Sequence, residues 1–357
     1  MKKILAIAIA TAFAAPAFAA TSNVDIYGNL HMSVDYLDNG NDSGTNVSSN
    51  ASSIGFKGSE DLGGGLNAIW QVESQINGDA GSTGGAFNSQ RDTFVGLSGG
   101  FGTMRLGYFD TPTKQLSRKL DLFNNKIGDS RNVLRSNATT GTGGNAWEER
   151  FNNGVRYDTP SFGGFTANVH YSTNFDSTGA TATNNNDAYS VGANYANGPL
   201  FVGATYQRNN LATPAVPPVG FTGDETNMRL GAGFNMGDLK LVALYSKSED
   251  QRGTNGADRD VWGVGAGYKL GNGEIKAQYY KASDEDGSVA STGAKMYAVG
   301  YDYNLSKRTQ AYVAYSKTKN DSGAQFSAMG GGGHGDNLVS LAGQDPSAIS
   351  LGMIHKF

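Results

Sequence analysis

Cysteine is absent from all 357 residues. A chain of this size without disulfides must be held by burial and strand pairing alone, and thiolate metal sites and cysteine nucleophiles are excluded. Histidine is scarce. His31, His170, His334 and His355 are scattered, and none sits in a metal-ligand spacing such as HExxH. Long apolar runs are also missing. Past the first residues, stretches such as Leu241–Tyr245 fall far short of the ~18 residues a membrane helix needs. A basic excess is lacking too: the formal net charge is −4, which argues against a nucleic-acid partner. Gly263-Val264-Gly265-Ala266-Gly267 continues into a strand pattern, so it is no nucleotide loop. Asp284-Glu285-Asp286-Gly287 lacks the ligand pattern of a twelve-residue calcium loop. No His/Asp/Ser grouping suggests catalysis. The expectation is therefore no enzyme, no cofactor and no metal.

What is present begins with an export signal. Lys2 and Lys3 precede an apolar stretch from Ile4 to Ala15, and Ala17-Phe18-Ala19 forms a small-residue cleavage site. Cleavage after Ala19 is expected, leaving residues 20–357 as one domain with a net charge of −6 once both lysines are lost.

Strict alternation follows. Val24, Ile26, Gly28, Leu30, Met32, Val34 and Tyr36 form one row, with Asp25, Tyr27, Asn29, His31, Ser33 and Asp35 between them. A period of two sends each row to its own face of a strand. The pattern recurs to Phe357 and predicts sixteen strands, at 24–36, 53–60, 65–73, 91–98, 102–109, 153–159, 164–171, 187–196, 199–208, 225–235, 238–247, 258–269, 274–282, 294–303, 308–317 and 348–357. Short turns such as Asp61-Leu62-Gly63-Gly64 alternate with long polar connections: 37–52, 74–90, 110–152, 172–186, 209–224, 249–257, 283–293 and 318–347. Sorting short turns to one rim and long loops to the other is the pattern of an outer-membrane barrel. Closure would leave no strand edge unpaired in lipid. A mean hydropathy of −0.40 suits such a barrel, because inward polar residues cancel outward apolar ones.

The connection 110–152 is the outlier in length. It carries acids Asp110, Asp121, Asp129, Glu148 and Glu149, and bases Lys114, Arg118, Lys119, Lys126, Arg131, Arg135 and Arg150. The residues leave two readings open: a loop folded into the lumen, or a solvated external loop. Parity assigns wall residues. With Ile54 and Phe56 towards lipid, Lys57 faces in; with Phe94 outward, Arg91 and Thr93 face in; with Met104 and Leu106 outward, Arg105 faces in; with Val155 and Tyr157 outward, Arg150, Asn152, Arg156 and Asp158 face in. A charge facing lipid near mid-bilayer would cost ~2–4 kcal/mol, so these arginines are lumenal in any barrel.

At Ser53-Ile54-Gly55-Phe56-Lys57-Gly58-Ser59-Glu60-Asp61-Leu62-Gly63-Gly64-Gly65-Leu66 the chain closely resembles the strand–turn–strand signature of the Gram-negative general diffusion porins. Val24–Gly28, Arg91–Leu97, Gly100–Gly107, Gly154–Pro160 and the terminal His355-Lys356-Phe357 resemble further porin segments in order. The resemblance covers the whole mature chain. It implies a sixteen-stranded antiparallel transmembrane barrel with short periplasmic turns, long external loops and a third loop folded inward as a constriction at 110–152. It further implies a homotrimer in the outer membrane, contact with its lipid and lipopolysaccharide, and delivery by the barrel-assembly machinery, with Phe357 as the assembly signal. By the same resemblance Lys57, Arg91 and Arg156 line the pore, and Arg150 ends the constriction loop. Ser53 stands where many members carry Arg, and Ile354 where many carry a basic residue, so the basic cluster is thinner here.

The expected function is a water-filled channel for ions and small hydrophilic solutes. Loop acids would face Arg91, Arg150 and Arg156 across a gap, and the surplus of bases predicts mild anion preference. The rival readings are a substrate-specific channel, or an adhesin or receptor whose barrel anchors its loops.

Overall fold

The computed structural model describes residues 23–79, 91–135, 147–175, 186–211, 220–329, 335 and 338–357. The leader at 1–19, the glycine run 330–333 and His334 lie outside them, as do parts of several long connections. The strands are β1 Asn23–Asp38, β2 Ser43–Ser49, β3 Ser53–Gly63, β4 Leu66–Gln75, β5 Thr93–Gly99, β6 Gly102–Asp110, β7 Arg150–Asp158, β8 Phe165–Ser172 and β9 Ala188–Asn197. They continue as β10 Leu200–Asn210, β11 Asp224–Met236, β12 Leu239–Glu249, β13 Arg259–Leu270, β14 Gly273–Ala282, β15 Ala294–Asn304, β16 Thr309–Asn320 and β17 Ser347–Lys356. Two helices, α1 Pro112–Leu120 and the single turn α2 Arg131–Leu134, lie between β6 and β7.

Apart from β2 and β3, which both pair with β1, each strand pairs antiparallel with its sequence neighbours, and β1 pairs with β17 from Asn29↔Lys356 to Asp38↔Ser347. That last ladder closes the sheet. β1 also takes both β2 (Met32↔Ser49) and β3 (Asn29↔Ser53), so these two are successive pieces of one wall position. The wall is therefore a closed sixteen-position barrel. The residues joining the pieces include Ala51 at φ 49°, a left-handed residue that lets the strand bend without leaving the wall. The segment 37–52, expected as a loop, thus contains a strand. Its sequence, Ser-Gly-Thr-Asn-Val-Ser-Ser, has too little apolar content to show a period. The remaining strands fall where the alternation predicts, within a few residues at their ends.

Alternation becomes an outer and an inner row. Val202, Leu230, Leu241, Val264, Val299 and Val313 are exposed on one face, whereas Arg229, Ser246, Gln278 and Ser316 are buried on the other. On a closed wall the exposed apolar row is the outer surface. One strand departs from the expected parity. Phe94 lies opposite Gly107 and packs edge-on against Phe109, while Val95 pairs with Leu106 on the outer face and puts Thr93 in its own row. Phe94 is apolar yet faces inward, against the Phe109 ring and the Arg105 guanidinium, so an expectation anchored on Phe94 meeting lipid inverts the parity of this strand.

The inner row is not uniformly polar. Val242, Leu244, Val261, Tyr280, Met296, Ala298 and Tyr312 form one buried apolar cluster with Leu116, Leu120, Leu122, Phe123, Ile127 and Val133 of the β6–β7 connection. Glycines make room for it. A Cβ on Gly231 would lie 2.2 Å from a Leu120 methyl, and one on Gly203 would lie 2.7 Å from a Leu116 methyl. Each leucine-sized side chain buried this way contributes ~1.5–3 kcal/mol, which holds a long connection against the wall.

Candidate functional site

Charge concentrates where β5, β6 and β7 meet α1. Thr111 caps α1, its side chain accepting from the Lys114 N–H at 3.2 Å, and Pro112 opens the first turn. Helical spacing then aims Lys114 and Arg118 back at the last residue of β6: Asp110 lies 2.9 Å from Lys114 and 3.4 Å from Arg118. Strand register supplies the third cation, since Asp110 pairs across the ladder with Arg150 and contacts it at 3.1 Å. Arg150 also binds Asp92. Asp110 and Arg150, expected within a loop, are thus the facing ends of β6 and β7.

One turn along the wall, Arg105 and Arg156 lie directly opposite each other. Like charges so placed repel, and Asp158 holds them together at 2.5 Å from Arg105 and 2.7 Å from Arg156. Arg156 further donates to the Asp110 carbonyl at 3.1 Å and to Gln115 at 2.8 Å, tying α1 to β7. The Arg105 guanidinium stands 5.2 Å from the ring centres of Phe94 and of Phe109. Nearby, Arg91 binds Glu73, which also accepts from the Tyr27 hydroxyl at 2.9 Å, and Lys57 lies over the Tyr27 ring at 5.2 Å.

The rest of the connection is anchored by its own charges. Glu148 binds Ser117 and the fully buried Arg229 of β11. Asp129 pairs with Arg131, and Lys126 reaches Asp302 of β15 at 2.7 Å. Lys276 of β14 shares that carboxylate at 2.6 Å. Asp121 has no cation against it among the described ion pairs. It accepts instead from the N–H groups of Phe123 (2.8 Å) and Ser130 (3.0 Å) and from the Gln278 amide (2.9 Å). Burial, reinforced by Asp129, pushes the Asp121 carboxyl up to about 7. Burial brings Lys114 down to about 8 despite Asp110, and brings Lys126 down to about 7 with Lys276 adding to the effect. Arg135 is the first residue past α2, and Glu149 directly precedes β7.

Of the acids expected in the loop, Asp110 does meet Arg150, whereas others are engaged elsewhere. Asp121 and Asp129 bind within the connection, Glu148 takes Arg229, and the three arginines take Glu73, Asp92 with Asp110, and Asp158. Sequence reasoning missed Glu73, Asp92, Arg229, Lys276 and Asp302. Their only signal was a polar residue at an inward position, which is common to every strand.

A closed antiparallel barrel with an apolar exterior and a charged, polar interior is by class a transmembrane β-barrel channel. Among the described residues no helix is long and apolar enough to cross a membrane. The chain belongs to the Gram-negative porin family, whose profile matches residues 6–323. It is 34% identical over 369 residues to outer membrane porin protein 32 of Delftia acidovorans, with both chains fully covered. It is 32% identical over 383 residues to major outer membrane protein P.IB of Neisseria meningitidis serogroup B, again over the whole of both chains. Among solved structures it resembles the anion-selective porin from Comamonas acidovorans, with a TM-score of 0.79, 30% identity, and coverage of 94% of this chain and 100% of that one. The protein is an outer-membrane porin and forms a channel.

Proposed function

We propose that the channel is a passive, water-filled pore with mild anion preference, narrowed by residues 111–135 folded into its lumen. Solutes cross it unchanged and no reaction is catalysed. The observation that carries the preference is the sharing of carboxylates. Asp158 serves two arginines, and Asp110 with Asp92 serves Lys114, Arg118 and Arg150. Each group keeps positive charge in excess, and charge of one sign along a pore attracts counter-ions. The anion-selective porin it resembles supports the same reading. The inward fold rests on contacts of Leu116, Leu120 and Leu122 with the wall face opposite the apolar exterior.

Lys57, Arg91, Arg105, Arg150, Arg156, Asp110 and Asp158 are proposed to line the pore, with Asp121, Asp129, Arg131, Arg135, Glu148 and Glu149 shaping the constriction. The mature protein is proposed to start near Ala20, to be folded by the barrel-assembly machinery through Phe357, and to work as a homotrimer. Single-channel recording in a planar bilayer under a salt gradient tests the reading. Conductance in threefold steps is expected, with a reversal potential of the anion-selective sign. Arg156→Glu should shift that potential towards cations; no shift would sink the role of the arginine cluster.

A further inference from the structure

Between α1 and the inner row of β8, β9 and β10 lies a cavity of about 380 Å³, the size of a site for a small molecule. It reaches Ser161 and Gly164 of the short β7–β8 turn, so it sits on the short-turn side of the helix. Gln115, Leu116 and Lys119 of α1 form its roof. Strand register lays out its floor as two lines across three strands. Asn168 lies opposite Gly192, and Gly192 opposite Thr205; Thr166 lies opposite Asn194, and Asn194 opposite Gly203. The two glycines let the amides lie across the wall. A Cβ on Gly192 would lie 2.6 Å from Asn168 Oδ1, and one on Gly203 would lie 2.7 Å from Asn194 Oδ1.

The polar groups are sorted between roof and floor. On the roof they are donors. Gln115 Oε1 accepts from Arg156 at 2.8 Å, which leaves the Gln115 amide N–H groups to donate. The exposed Lys119 ammonium stands 3.8 Å from the centre of the Phe201 ring and joins no ion pair among the described residues. On the floor they are acceptors. Asn168 Oδ1 and Thr205 Oγ1 have no hydrogen-bond partner among the described residues, and Thr205 is only 5% exposed. Buried oxygens of this kind are normally answered by a donor. No carboxylate is among the residues that line the cavity.

We propose that this cavity binds a neutral, hydroxyl-rich solute of about hexose size, a sugar or polyol, in transit through the pore. A hydroxyl both donates and accepts. Such a solute would donate to Asn168 Oδ1 and Thr205 Oγ1 and accept from Gln115 and Lys119, while Leu116 and Phe201 meet its C–H groups. A carboxylate or inorganic anion only accepts and would leave Asn168 Oδ1 unanswered, and a cation would meet Lys119. The proposal rests on the lumenal placement of residues 111–135 and is independent of ion preference.

The test places the purified protein in phosphatidylcholine nanodiscs and follows D-glucose binding by saturation-transfer NMR. The wild type should bind saturably, and Asn168→Leu/Thr205→Val should bind about tenfold more weakly, because both floor acceptors are gone. Asn304→Ala, on β15 and outside the cavity, should bind as the wild type does. Should the double variant not fold, Thr205→Val alone decides, with a severalfold loss expected. Equal binding in variant and wild type, or no saturable binding at all, overturns the proposal. Sodium acetate equimolar with the glucose should leave its signal in place; displacement would make the cavity an anion site and overturn the proposal as well. Lys119→Cys in this cysteine-free chain separates the sugar site from the reading beneath it. Labelling that thiol with a bulky methanethiosulfonate should lower single-channel conductance and abolish glucose binding. Lowered conductance without glucose binding in the wild type strikes the sugar site alone, whereas unchanged conductance strikes the lumenal placement and the site with it.

Discussion

Asp121 is the residue where burial and function conflict. Its carboxylate is buried against backbone N–H donors and the Gln278 amide, which favour the charged form, but no described ion pair offers it a cation. Burial and Asp129 win, and the carboxyl rises to about 7. A folded-state value raised above the ordinary carboxylate range means the docked connection holds its proton more tightly than a released one. Its contribution is therefore whole below about pH 4 and is lost as pH rises to about 7. Hydrogen-exchange protection of the amides from Leu122 to Ser130 should fall across that window. In Asp121→Asn the pH dependence should vanish and protection should be lower by ~1–3 kcal/mol, because the new amide would face the Ser130 N–H donor to donor. Protection that is flat with pH in the wild type would show that a nearby cation compensates. At this scale little was legible in the sequence. Parity says which face a residue occupies, not what it meets. Glu148 finds Arg229 and Lys126 finds Asp302, partners far apart in sequence. Asp110 and Arg150 were legible as acid and base but not as register partners, because a bulge between Gly107 and Phe109 sets that register.

Elements were far more legible, because period-two alternation is a direct image of a wall with two solvents. The exceptions have local causes. β2 carries almost no apolar side chains, and in β5 an inward Phe94 inverts the count. α1 escaped notice inside a long polar connection; only Thr111-Pro112 and the leucines Leu116 and Leu120 mark it, four residues apart on one face. That spacing is what the wall glycines accept. Gly231→Val should therefore drive Leu120 off the wall and push α1 towards the pore axis, lowering single-channel conductance. Gly44→Val, at a glycine with open space around its Cβ position, serves as the control and should leave conductance unchanged. Equal conductance in both would mean the connection yields elsewhere.

For the whole molecule, closure depends on one ladder between the two ends of the chain. β1 meets β17, and the last residue completes it: the Phe357 N–H donates to the Gly28 carbonyl at 3.1 Å, and the Gly28 N–H donates to the Phe357 carbonyl at 3.2 Å. The Phe357 ring also covers the Gly28 Cα, where a Cβ would lie 2.7 Å from it. Deleting Phe357 should reduce the fraction that reaches the heat-modifiable folded form, seen as a slower-forming compact band on unheated gels. Wild-type yield from the truncated chain would mean that the ladder closes without its final rung.

The two rows of each strand have a consequence beyond folding. A substitution on the inner row alters what passes through the molecule and leaves its lipid-facing surface as it was, and the reverse holds for the outer row. The long connections leave from one rim, so most can lengthen, shorten or change sequence without shifting a ladder. Permeation, membrane fit and surface identity are thus carried by three largely separate sets of positions. Each can be changed, by selection or by design, while the other two are held constant.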